Sequence, residues 1–277
     1  MNLPYPLKSF LLFNLIISLF LGSCKNKKED APLPAPELSA EKEISRAEAD
    51  LNSVLRDITI YESSDGNDYN LDPTLPYTYK LLKDSTVGVY SKCLLVTYAG
   101  FGTDNLSRSG LVKCFFSGRK ATGTYRDSIV FENAKIAGRE IKGRITSKQT
   151  ITGKDTMVFA IAANGSIDNA KGLPIEFTSL KVKKRTSVSS KNVLEDTWQV
   201  SGSWSGTTGS GEKVTLQTPA QLEILASCSV RYFTKGVVDF NNLSTGVSRR
   251  IKYGDGKCDA FASFVNDKGI EYLFSVD

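Results

Sequence analysis

The sequence predicts a mainly β protein, either an antiparallel sandwich or one strongly curved sheet, with a single amphipathic helix near its N-terminus. Three observations carry this. From residue 86 onward apolar residues recur with a period of two, as in Leu180-Lys181-Val182-Lys183 and Val214-Thr215-Leu216-Gln217, the pattern of half-buried antiparallel strands. Turn formers punctuate that region at short intervals: Ala137-Gly138, Gly153-Lys154-Asp155, Asn164-Gly165, Gly209-Ser210-Gly211 and Asp255-Gly256. Only one stretch, residues 40–59, has the helical period.

In that stretch Ile44, Ala47, Leu51, Val54, Leu55 and Ile58 fall on one face, with Ser39 suited to cap the start. Arg46, Glu48, Asp50 and Arg56 occupy the remaining positions and are expected on the solvent side. Residues 61–76 read as a loop, rich in turn formers and broken by Pro73 and Pro76. Its acidic set, Glu62, Asp65, Asp68 and Asp72, lacks the fixed ligand spacing of a calcium loop and reads as a charged surface. Candidate strands follow at 87–97, 110–116, 127–136, 139–147, 156–163, 175–183, 197–203, 213–218, 221–226, 230–240, 248–253, 259–265 and 271–276.

Ahead of the helix lies a different kind of sequence. Lys8 precedes an apolar run from Phe10 to Leu21, followed by Gly22, Ser23 and Cys24. This is the layout of a secretory signal, and the run is shorter than the roughly 20 residues that span a bilayer. Leu21-Gly22-Ser23-Cys24 resembles the lipobox of bacterial lipoproteins. The resemblance implies removal of residues 1–23 and acylation of Cys24, which would anchor the chain to a membrane through lipid. Lys28-Glu29-Asp30 resembles the surface-export signal of Bacteroidota lipoproteins. A Pro-rich tether (24–38) and a single β-rich domain (39–277) complete the expected organisation. The expected place is the outer membrane, facing the periplasm or the cell surface.

The chain of 277 residues contains no histidine. That removes Ser-His-Asp and Cys-His catalysis and His-ligated zinc. Its net charge of +5 comes from basic residues interleaved with acidic ones, not clustered as in a nucleic-acid interface, and no nucleic-acid partner is expected. Four cysteines besides Cys24 (Cys93, Cys114, Cys228 and Cys258) suit disulfides in an exported protein. Their wide spacing disfavours a zinc site, so no metal or cofactor is expected. Proximity in sequence suggests Cys93–Cys114 and Cys228–Cys258.

Tyr253-Gly254-Asp255-Gly256-Lys257-Cys258-Asp259 lacks the order of a phosphate loop and reads as a hairpin. With Arg249-Arg250-Ile251 before it and Glu271-Tyr272-Leu273-Phe274 after it, it resembles the C-terminal end of uncharacterised lipoproteins common in Bacteroidota. That resemblance implies an envelope lipoprotein and carries no activity. Glu132, Glu140, Asp155, Asp168, Glu176 and Asp196 are the carboxylates a hydrolase could use. Gly202-Ser203-Trp204-Ser205-Gly206 has Trp where the serine-hydrolase elbow needs Ser. Trp198, Trp204, Tyr232 and Phe233 could pack in the core or stack on a carbohydrate. The leading expectation is a non-catalytic binding module with an envelope or carbohydrate ligand. A carboxylate hydrolase and a carrier of lipid or another apolar ligand are the rivals.

Overall fold

The fold is known from a computed structural model, which describes residues 38–62, 77–82, 88–102, 105–117, 123–151, 157–169, 172–185, 197–225, 227–228, 232–266 and 268–276. Cys24, Lys28, Glu29, Asp30, most of the tether, the acidic positions 65, 68 and 72, Asp155 and Asp196 lie outside the described residues. Among the described residues one helix, α1 (Ser39–Glu62), precedes fourteen strands. These are β1 (Tyr77–Leu82), β2 (Lys92–Phe101), β3 (Ser107–Phe116), β4 (Gly123–Ile136), β5 (Arg139–Ile151), β6 (Met157–Ile167), β7 (Ile175–Arg185) and β8 (Thr197–Thr207). After them come β9 (Lys213–Gln217), β10 (Leu222–Leu225), β11 (Lys235–Asn242), β12 (Val247–Asp255), β13 (Phe261–Val265) and β14 (Glu271–Ser275).

All fourteen join one antiparallel sheet in a meander, each strand pairing with its successor along most of the chain. The one exception lies between β8 and β11, where β9 and β10 together fill a single place. β9 pairs the second half of β8 and β10 the first half. Pro219 separates them, since proline cannot donate to a ladder. Thr218 closes the break, its hydroxyl accepting from Gly202 N at 2.7 Å and its N–H donating to Gly202 O at 3.1 Å. Of the two expected forms, the single curved sheet is therefore the one observed. β1 was not expected from the sequence.

Two expected turns came out differently. Ala137 and Gly138 do join β4 to β5, with φ of 51° and 77°, the positive pair of a tight hairpin turn. Asn164-Gly165 lies inside β6 instead. Gly165 faces Gly143 across the β5–β6 ladder. A Cβ on Gly143 would sit 2.2 Å from Asn164 O, and one on Gly165 2.0 Å from Lys142 O. The glycines let two strand backbones approach closely there.

The sheet's inner face meets α1. Ile44, Ala47, Leu51, Val54 and Ile58 are buried against it as the periodicity predicts, and Leu55 partly so. Glu48 and Asp50, expected in solvent, are buried as well, together with Glu41, Ser45, Ser53 and Asp57. The helix is enclosed on nearly every side. Each buried acid is met by a base from a different strand: Glu41 by Arg249 of β12, Glu48 by Lys181 of β7, Asp50 by Arg139 of β5. Asp57 accepts from the Tyr98 hydroxyl at 2.9 Å and lies 3.6 Å from Arg108 of β3. Arg46 is exposed, and Arg56 donates to Cys228 O at 3.1 Å. An acidic helix inside a basic lining fixes rotation and depth together, because a shifted helix would strand buried charges at a cost of several kcal/mol.

The Cys228–Cys258 bond forms as expected, with Cα atoms 5.3 Å apart. Closing a loop of 30 residues, it contributes roughly 3–4 kcal/mol by chain entropy. The Cys93–Cys114 bond does not form; both cysteines are buried and neither is in a disulfide. The register explains why. Cys93 faces Phe115 and Cys114 faces Leu94. The two cysteines are thus one residue out of step and point to opposite faces of the sheet. Proximity in sequence could not reveal that parity.

Candidate functional site

Among the described residues two of the candidate hydrolase carboxylates become neighbours: Glu140 at the start of β5 and Asp168 just past the end of β6, where Asp168 N–H donates to Glu140 O at 2.9 Å. Glu132 is paired with Lys113 at 2.5 Å and Glu140 with Lys142 at 3.2 Å. Glu176 is exposed on β7. Besides the helix acids, one carboxylate on the sheet itself is buried, and the sequence did not single it out. Asp127 lies on the inner face of β4 and accepts from Ser147 Oγ at 2.6 Å through Oδ2. Its Oδ1 has no hydrogen-bond partner among the described residues. Burial pushes the Asp127 acid above its ordinary value, and the Ser147 bonds offset only part of that.

A raised native pKa means that, just above the ordinary carboxylate range, the folded chain holds a proton the unfolded chain has released. Stability therefore falls as pH rises through that window. Asp127→Asn should remove this slope and leave the pH 7 urea midpoint equal to or above that of the native chain. A midpoint lower by more than about 1 kcal/mol-equivalent, the net worth of one hydrogen bond, would contradict it.

The four aromatics are core residues. Trp198 and Trp204 share the inner face, as their even spacing predicts, and both are buried, as are Tyr232 and Phe233. They offer no stacking surface. Two pockets between helix and sheet, one beside Trp204 and one beside Trp198, hold about 30 and 20 Å³, room for a water molecule or so.

The roomier space is on the outer face. A groove of about 520 Å³ runs over β4–β8, with Tyr90 at its side, within the size range of small-molecule sites. Strand register builds it. Residues opposite each other across a ladder share a face, so one row reads Arg126, Lys148, Ala160, Val182 and Ser201. The next reads Ser128, Thr146, Ala162, Leu180 and Ser203.

This overturns the facing implied by the alternation in β7. Ile175, Phe177 and Ser179 point inward, and the same parity carries Lys181 and Lys183 inward with them. Lys181 pairs with Glu48, and Lys183 Nζ lies 4.3 Å from the Trp198 ring centroid. Burial, with Lys183 adding to it, draws the Lys181 amine down to about 7, against the pull of Glu48. Leu180 and Val182 are left outside, 59 % and 45 % exposed.

Arg126 and Lys148 stand directly opposite one another on β4 and β5, both exposed. Like charges in that position repel. Arg144 and Lys184 occupy the flanking rows, and no carboxylate occurs in these four rows of β4–β8. Elsewhere on the outer face Lys113, Lys142 and Arg250 each have an acidic partner. The groove thus combines an aliphatic floor with uncompensated positive charge at one end.

A scan against protein-family models and searches of curated proteins and of solved structures each return no match to this chain.

Proposed function

We propose that this chain is an envelope lipoprotein, held on the outer membrane through Cys24, whose β domain is a non-catalytic binding module with its ligand site in the β4–β8 groove. The single observation that carries the binding reading is that groove: about 520 Å³, floored by exposed Leu180 and Val182 and edged by the unneutralised pair Arg126 and Lys148. A rigid sheet suits such a role because its side chains are held by ladders on both sides. The anchoring reading is supported by Leu21-Gly22-Ser23-Cys24 after a short apolar run, and by the C-terminal Tyr253–Asp259 string. No described helix is long and apolar enough to cross a membrane. Acyl mass on Cys24, with residues 1–23 absent, is the expected result for the mature chain; an intact N-terminus without it would overturn the anchor.

The binding reading is tested with an environment-sensitive dye on Asn164→Cys. This exposed position borders the groove without filling it, and native Cys93 and Cys114 are buried from the label. The full chain so labelled should respond saturably to an extract of bacterial envelope. A label at Lys80→Cys, an exposed position of β1, should not. No saturable response at Asn164→Cys would remove the groove as a binding site.

A further inference from the structure

We propose that the outer groove takes a single anionic amphiphile. Its acidic headgroup would sit between Arg126 and Lys148, and its aliphatic chain would lie over Ala160, Ala162, Leu180 and Val182. This rests on the binding-module reading and names the ligand class.

The charge argument comes first. Two cations directly opposite across a ladder repel. An anion bridging them turns that repulsion into two charge-assisted contacts. The surrounding rows add Arg144 and Lys184 and hold no acid that could do the same from within the chain.

The floor then selects the rest of the ligand. Lys148, Ala160 and Val182 are successive partners across β5, β6 and β7, so the apolar surface begins one strand, roughly 4.8 Å, from the cations. Small alanines there leave room above the sheet, and Leu180 and Val182 form its far side. An alkyl chain brings no polar groups to satisfy. A polypeptide would, since strand addition needs a free sheet edge, and β4 to β8 each have a neighbour on both sides. A peptide lying on the face would leave its own N–H and C=O groups unmatched over the aliphatic floor. A sugar would want an aromatic platform in the floor; Trp198 and Trp204 are turned inward, and Tyr90 stands at the groove's side, off the aliphatic rows.

The test uses the full chain labelled at Asn164→Cys and decyl phosphate below its micellar range. Saturable binding at one site is expected. Decanol should bind at least tenfold more weakly, and inorganic phosphate should give no response. Arg126→Gln with Lys148→Gln should bring decyl phosphate down to the level of decanol while the urea midpoint holds or rises, because a repulsion has been removed. Leu180→Ser with Val182→Ser should weaken decyl phosphate without touching that charge preference.

Equal affinity for decanol would overturn the headgroup assignment, and equal affinity for inorganic phosphate the chain assignment. A response only to vesicles containing anionic phospholipid would mean that the face docks on a membrane and takes no single amphiphile. If the envelope extract gives a saturable signal and decyl phosphate none, the ligand class is wrong and the binding site stands. Silence to both removes both.

Discussion

Asp50→Ala is expected to destabilise the folded chain by about 3–5 kcal/mol, the range for breaking one side of a buried ion pair. Asp50 is fully buried on the enclosed helix, and its carboxylate meets Arg139, whose side chain is only 14 % exposed. Burial already draws the Arg139 guanidinium down to about 10, with Arg46 adding repulsion. Losing the carboxylate leaves that cation buried without its partner. Against a total stability of about 5–15 kcal/mol, this is a loss that populates unfolded chain. The double change Asp50→Leu with Arg139→Met should recover most of it, because an apolar pair of similar volume has no desolvation penalty. Urea unfolding of the three variants reads both effects. A single variant within about 1 kcal/mol of the native chain would place the pair in solvent, and the enclosed helix would have to be abandoned.

Gly143→Ala is expected to remove about 3 kcal/mol or more, again read from the urea midpoint. Gly143 has φ of 117°, and the new Cβ would lie 2.2 Å from the Asn164 carbonyl oxygen and 2.5 Å from Gly165 Cα. These are backbone atoms of β6, so no side chain can swing aside; the two strands must separate there. Gly246→Ala is the control. It has φ of 74° and nothing within 4 Å of the new Cβ, so only the left-handed backbone penalty of about 1–2 kcal/mol applies. Equal losses at the two positions would mean that close strand approach is not what Gly143 is for.

Much of the β body was legible because a half-buried strand writes its facing into the chain. The thirteen candidate strands all reappear, from β2 to β14, with shifted ends. The strand that the sequence does not announce, β1, sits at the sheet's edge, with a neighbour on one side only among the described residues, where packing constrains the sequence least. Helix α1 was legible in type and nearly in length, and its apolar stripe was read correctly. Its acids were misread, since a charge on the far side of an amphipathic helix is ordinarily solvated. Only the surrounding bases turn Glu48 and Asp50 into core residues.

The groove shows the same division more sharply. Arg126, Lys148, Ala160 and Val182 come from four strands, and each is unremarkable in its own segment. Ladder register makes them a row. One signal was present in the sequence: Leu180 and Val182 share parity with Glu176 and Thr178, not with Ile175 and Phe177. Read through the whole strand, that parity puts the aliphatics outside and the lysines inside. Read locally, it implies the reverse, because a buried lysine is unfavourable until its partner is known.

By itself the sequence determined the β class, the amphipathic helix and the absence of histidine chemistry; it suggested two cysteine pairs alike, of which only Cys228 with Cys258 forms. The tertiary structure alone decided that Cys93 and Cys114 face apart, that the helix acids are interior, and which side of β7 meets solvent. The physical reason is common to all three. Periodicity reports which residues share a face, whereas the side that face turns to depends on partners hundreds of atoms away along the chain.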